Sequence, residues 1–269
     1  MVTRYLFVQK VVNCCLTEIN DEIVLVGNYI KDDRISVYTT VQNQKLVSSP
    51  NEVETAPYSR FIIFLRNHRM ALIKNEGRSP DVRSFQSTVK AFLKKYVRSK
   101  NKESIGNEKL PMPSVNIIAI PLQEDIGKIL KNAKKILFLN FRFFPLNNDL
   151  NPLPMENNIN QLMNSIESKT ANVKFNSPQS KTQVARAMTY SNGLAEVTVK
   201  YEKNDGSQSK ITNNEFQSSK KIKYHGNLQE KDDEYIISQI IGDYPISSIS
   251  EENNSLYKRM KECLLKLIK

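Results

Sequence analysis

Alternating apolar and polar residues dominate the opening of the chain. Tyr5–Val8, Val11–Val12, Ile23–Val26 and Ile35–Tyr38 carry the β-branched and aromatic residues of strands. From Gln42 to Pro57, Ser, Asn, Pro and Glu cluster, which predicts a loop. Phe61–Leu65 and Met70–Ile73 flank Arg66-Asn67-His68-Arg69, the layout of a β-hairpin with a short turn. The period then changes. Val82, Phe85, Val89, Phe92, Leu93, Tyr96 and Val97 recur at helical spacing after Ser79-Pro80-Asp81, which offers an N-cap, a first-turn proline and an early acid. At 100° per residue, Arg83, Lys90, Lys94 and Arg98 fall within roughly 80° of one another, opposite that apolar stripe. One face is expected to pack and the other to form a basic ridge.

Beyond a polar linker, Ser99–Pro113, Val115–Ile120 reads as a strand, Leu122–Ala133 as a short helix and Ile136–Phe144 as a central strand. Strand, helix and strand in so short a span predict a βαβ crossover within residues 115–144. Asn147–Pro154 reads as a loop. Helices are expected around Met155–Ile166 and Val184–Met188, the latter ended by Asn192-Gly193. Strands are expected at Ala171–Phe175 and Ala195–Tyr201, followed by an Asn204-Asp205-Gly206 turn and a return through Ile211 and Phe216 to Ile222 and Tyr224. Leu256, Tyr257, Met260, Cys263, Leu264, Leu267 and Ile268 describe an amphipathic C-terminal helix. The pattern as a whole predicts an α+β protein of two α/β lobes, residues 1–150 and 151–269, on mostly antiparallel or mixed sheets.

Composition narrows the function classes. The charge of +11 attracts polyanions, and its placement is uneven. Residues 81–109 hold eight Lys/Arg against three Asp/Glu, and residues 169–223 hold ten against four. Residues 229–252 invert the balance, with seven acids against Lys231. No leader peptide or membrane span is expected, and Cys14, Cys15 and Cys263 read as buried thiols of a reducing cytoplasm.

The candidate chemistry is therefore phosphate binding. Arg83, Lys90, Lys94 and Arg98 on the helix, with Lys220, Lys221 and Lys223 assisting, would neutralise phosphates and release counterions. Lys200 and Lys210 belong to the same basic region, and Tyr201, Phe216 and Tyr224 lie among its lysines, placed for base stacking or for ordinary core packing. A solvated lysine face reads the same way. His68 and His225 lack neighbours at ligand spacing, so no metal is expected, and isolated glycines leave no phosphate loop and no cofactor. A metal-dependent nuclease needs converging carboxylates. Glu196 and Lys200 share a strand face, with Asp81 or Glu202 as arbitrary partners. Asp232, Asp233 and Glu234 read as a solvated helix start, and the acidic segment with the terminal helix (residues 229–269) reads as a contact for a protein partner or a second copy.

Three stretches carry a resemblance: Ser59–Phe64 through Leu72-Ile73 with the helix after it, Lys135–Phe144 running into Pro145-Leu146-Asn147, and Asn192-Gly193-Leu194 with the Asp205-Gly206 turn. Together they resemble an uncharacterised bacterial family of mobile-element and phage-defence loci, and the layout is similar to the DNA-binding subunit of the Kiwa system. The resemblance implies a defence or accessory role; it supplies no catalytic residues to carry over and leaves the chemistry open. The expectation is a cytoplasmic protein that binds nucleic acid without sequence preference, DNA before RNA. A nuclease or toxin and a non-enzymatic sensor or regulator are the alternatives.

Overall fold

The computed structural model describes residues 9–103, 109–120, 123–145, 154–191, 193–212, 215, 233–241 and 249–268. The protein is α+β, and every strand pair among the described residues is antiparallel. It divides into two compact units. Unit 1 holds Met1–Val115, Gly226–Tyr235 and Lys258–Lys269; unit 2 holds Asn116–His225 and Ile236–Tyr257. The change of unit thus falls at Val115, whereas the hydropathy pattern places it in the polar stretch near residue 150. The expected strand at Tyr5–Val8 and the returning segment from Phe216 to Tyr224 lie outside the described residues.

In unit 1, β1 (Gln9–Ile19) and β2 (Glu22–Lys31) join through Asn20 and Asp21, at φ 52° and 63°. That pair of left-handed residues makes the tight turn whose twist matches antiparallel strands, and Asn and Asp tolerate it well. The same device, Asn43 and Gln44 at φ 49° and 61°, joins β3 (Asp33–Gln42) to β4 (Lys45–Thr55). β4 occupies most of the stretch expected as a loop. Pairing recruits Val47 and Val53 opposite Thr40 and Ile35, while the ladder slips by one residue between Val37 and Thr39 and leaves Ser49 and Pro50 out of register. The expected hairpin is present as β5 (Tyr58–Phe64) and β6 (Arg69–Lys74), and the main sheet runs β1-β2-β5-β6.

Helix α1 (Val82–Glu103) covers one face of that sheet. The Ser84 N–H donates to Asp81 Oδ1 at 2.9 Å, so Asp81 is the cap, two residues later than expected. Ser79 is already engaged: its hydroxyl accepts the Glu76 N–H at 3.0 Å. Phe85 seats the helix, with its ring 5.4 Å from Tyr29 and 5.1 Å from Phe61. Tyr29 and Thr88 hydroxyls meet at 2.8 Å.

The other face carries Val24, Val26, Ile62, Phe64 and a buried charge, all drawn to that side by strand alternation. Arg60, 1% exposed, donates from Nε to Asp233 Oδ1 at 2.5 Å and from its terminal amino groups to Asp233 Oδ2 and, at 3.0 Å, to Asn28 Oδ1. Lys261 reaches Glu18 at 3.2 Å on the same unit. Asp233 and Lys261 are therefore structural parts of unit 1, although 173 residues separate the two ends of the buried pair. Cys14, Cys15 and Cys263 are exposed, against expectation. The first two sit where the β1 ladder slips between Val12 and Cys15, next to Asn13 at φ 49°.

Unit 2 orders α2 (Gln123–Lys131), β7 (Ala133–Phe143), α3 (Pro154–Ser165), β8 (Ala171–Asn176), α4 (Lys181–Tyr190), β9 (Ala195–Lys203) and β10 (Gln208–Thr212). Its sheet runs β10-β9-β7-β8. Ile126 and Leu130 of α2, Met163 of α3 and Val184, Ala185 and Met188 of α4 form one core with Leu139, Phe141, Val197 and Val199. The expected βαβ crossover is not formed among the described residues. Residues 109–120 have no regular structure, and β8 and β9 occupy both edges of β7, which leaves no slot for a parallel partner. Two helices, α5 (Asp233–Ile241) and α6 (Glu251–Leu265), complete the described elements, α6 being the expected C-terminal helix.

Candidate nucleic-acid interface

Helix α1 carries the largest uncompensated charge of any described element. Its 22 residues hold Arg83, Lys90, Lys94, Lys95, Arg98, Lys100 and Lys102 against one acid, Glu103. Glu103 is committed to Lys100 at 3.1 Å, and that hydrogen bond holds the Lys100 ammonium above its ordinary pKa. The other six bases form no ion pair among the described residues. Lys90–Lys94, Lys94–Arg98 and Arg98–Lys102 are like-charge neighbours one turn apart, each costing about 0.2–0.5 kcal/mol in an isolated helix. A bound polyanion would turn that cost into a gain. Arg83 and Arg98 are exposed, and Lys90 and Lys94 are half-buried. From Arg83 to Arg98 the axis rises about 22 Å, over which one strand of a duplex passes about six phosphates.

The apolar stripe behaves differently from expectation. Phe85 and Val97 are buried, but Phe92 is 69% and Tyr96 52% exposed. Phe92 and Tyr96 stand seven and eleven residues after Phe85, on the same side of the helix, so the stripe continues beyond the part that packs. Two neighbouring exposed rings with Lys95 beside them are flat surfaces of the kind on which bases could stack, at about 1–3 kcal/mol per base. Lys95, Phe92 and Tyr96 were the residues sequence reasoning missed. Their signal was present as two aromatic residues at i, i+4 in a strongly basic helix, but helical spacing alone assigns such a pair to the core.

No family model, curated protein or solved structure matches the chain significantly. Its chemistry has to be read from its own residues.

The remaining candidates divide clearly. Lys220, Lys221, Lys223, Phe216 and Tyr224 lie outside the described residues. Tyr201 is 7% exposed in the unit 2 core and presents no face to a base. Of the carboxylates weighed for a nuclease, Asp81 caps α1, Glu196 faces Arg142 at 3.9 Å and Glu202 lies between Lys134 and Lys135 at 2.9 and 3.0 Å. No group of three potential metal ligands occurs among the described residues. Asp233, read from sequence as solvated, is the buried partner of Arg60, because an apolar sheet face with one arginine demands a counter-charge. No helix among the described residues is long and apolar enough to cross a membrane.

Proposed function

We propose that the chain binds nucleic acid without base specificity, DNA in preference to RNA, through Arg83, Lys90, Lys94, Lys95, Arg98 and Lys102 of α1. The observation that supports this is the run of six unbridged bases on one helix; the exposed rings of Phe92 and Tyr96, with Lys95 beside them, lie on the side of the helix away from Arg83, Lys90, Lys94 and Arg98. Phosphate contacts give affinity and register, the rings hold unstacked bases, and nothing in the arrangement discriminates one base edge from another. The resemblance to a family of phage-defence and mobile-element loci suits a cytoplasmic protein that coats or captures foreign DNA. Six phosphate contacts predict that log affinity for a single strand falls with log salt at a slope of about −4. Fluorescence anisotropy of a labelled oligonucleotide from low to moderate salt measures it, and a slope near zero overturns the reading.

A second reading, association of two copies through the C-terminal segment, has one observation in its favour. Met260 and Leu267 are 47% and 64% exposed, and Cys263 between them is exposed as well. Met260 and Cys263 share one side of α6 and Leu267 follows just past its end, an exposed apolar group. Removing residues 229–269 is a poor test, since it takes Asp233 away from Arg60. M260E/L267E keeps the fold. On this reading it converts a dimer to a monomer in sedimentation velocity, and a wild type that is already monomeric contradicts it.

A further inference from the structure

The sheet of unit 2 has two unlike faces. Ala195, Val197, Val199 and Tyr201 of β9 point into the core, so Glu196, Thr198, Lys200 and Glu202 take the other side. The register carries that side across the sheet. Lys200 faces Lys210 on β10 and Phe138 on β7, Thr198 faces Asn140, Asn140 faces Lys174 on β8, and Glu196 faces Arg142. The core helices lie on the opposite side, and Lys174 and Lys210 are exposed.

The charges on this side do not cancel. Glu202 is shared by Lys134 and Lys135, whose hydrogen bonds hold its carboxyl below the ordinary range, and Glu196 is within 3.9 Å of Arg142. Lys200 and Lys210 stand directly opposite each other with no ion pair to either among the described residues. Like charges directly opposite on an antiparallel pair destabilise it, so this is a position where the sheet carries a cost. The third ammonium, Lys174 Nζ, sits 4.6 Å above the ring of Phe138, the residue paired across β7 and β9 with Lys200. Asn140, Asn172, Thr198 and Thr212 fill the rows between them with neutral hydrogen-bonding groups.

We infer that the helix-free face of the β10-β9-β7-β8 sheet is a second nucleic-acid-binding surface, in which Lys200, Lys210 and Lys174 contact the phosphates of a strand crossing the sheet. The anion class follows from three unneutralised ammonium groups among amides and hydroxyls; the choice of nucleic acid among polyanions rests on the reading of α1. Phe138 holds Lys174 over the middle of the sheet in the free protein and becomes a stacking surface when that ammonium moves to a phosphate. Two surfaces on one chain engage a long strand more tightly than either alone, because the second contact is intramolecular.

The test compares K200T/K210T with the wild type on a labelled 30-nucleotide single strand across a salt series. Threonine suits strands, and removal of the opposed charges leaves the melting temperature unchanged or raises it. Loss of two contacts lowers the magnitude of the log–log salt slope by about 1.4 and the affinity about tenfold near 0.15 M salt. K174Q alone, which leaves β9 and β10 intact, lowers the slope by about half as much. Unchanged slopes in both variants, in a protein whose α1 variant K95E/R98E is weakened, overturn the sheet surface and leave the α1 reading standing. Weakening by the sheet variants with no effect of K95E/R98E supports the sheet surface and overturns α1. A wild type that binds no oligonucleotide overturns both.

Discussion

Replacing Arg60 by methionine destabilises unit 1 by about 3–5 kcal/mol, the largest effect of any single substitution considered. The cost does not measure the strength of the Arg60–Asp233 pair. It arises because Asp233, at 5% side-chain exposure, is left as a charge in an apolar setting with both guanidinium donors gone. Asn28 also loses the donor to its Oδ1. R60M/D233L removes both charges and recovers most of the stability, since a buried ion pair and a well-packed apolar replacement of similar volume come out nearly even. Chemical denaturation followed by far-ultraviolet circular dichroism measures both variants. The chain has no Trp, and its two units need not melt together, so the transition is fitted without assuming two states. A loss below about 1 kcal/mol in R60M would show that Asp233 finds water or another partner.

K95E/R98E reduces affinity for a single strand by at least tenfold near 0.15 M salt. Each phosphate contact contributes a factor of about four there through counterion release, and reversal adds repulsion to the loss. Both side chains are exposed, on the part of α1 beyond Phe85, so the fold and its melting temperature are unaffected. K45E/K74E is the control. It changes net charge equally at exposed positions on β4 and β6, outside the helix itself, and lowers affinity only through the weaker long-range field. An equal loss in the control would mean that overall charge, not α1, attracts the ligand.

Much of the fold was legible where local pattern and tertiary context agree. The β5–β6 hairpin, α1, β7 and the alternation of β9 follow their hydrophobic periods. Legibility failed where pairing decides. β4 has a polar sequence and becomes a strand because β3 and the Asn43-Gln44 turn present it with a ladder. Val115–Ile120 has a strand's sequence and has no regular structure, and it does not pair with β7, whose two edges are taken by β8 and β9. Spacing also cannot say how far a core extends: Phe85, Phe92 and Tyr96 share one stripe, and only the first meets the sheet. The bases of α1 were visible as composition and period. Asp233 was not, since nothing local marks one acid among its neighbours as the partner of an arginine in a distant strand. The opposed lysines of β9 and β10 needed the register, which depends on the Asp205-Gly206 turn region joining them.

The most direct test of the central claim is the salt dependence of binding for wild type and K95E/R98E, measured on the same labelled single strand by anisotropy at five or so salt concentrations. If α1 carries the contact, the slope of the variant is shallower than that of the wild type by about 1.4, while K45E/K74E keeps the wild-type slope. Parallel lines for wild type and K95E/R98E would contradict it, for the strand would then bind without releasing counterions at this helix.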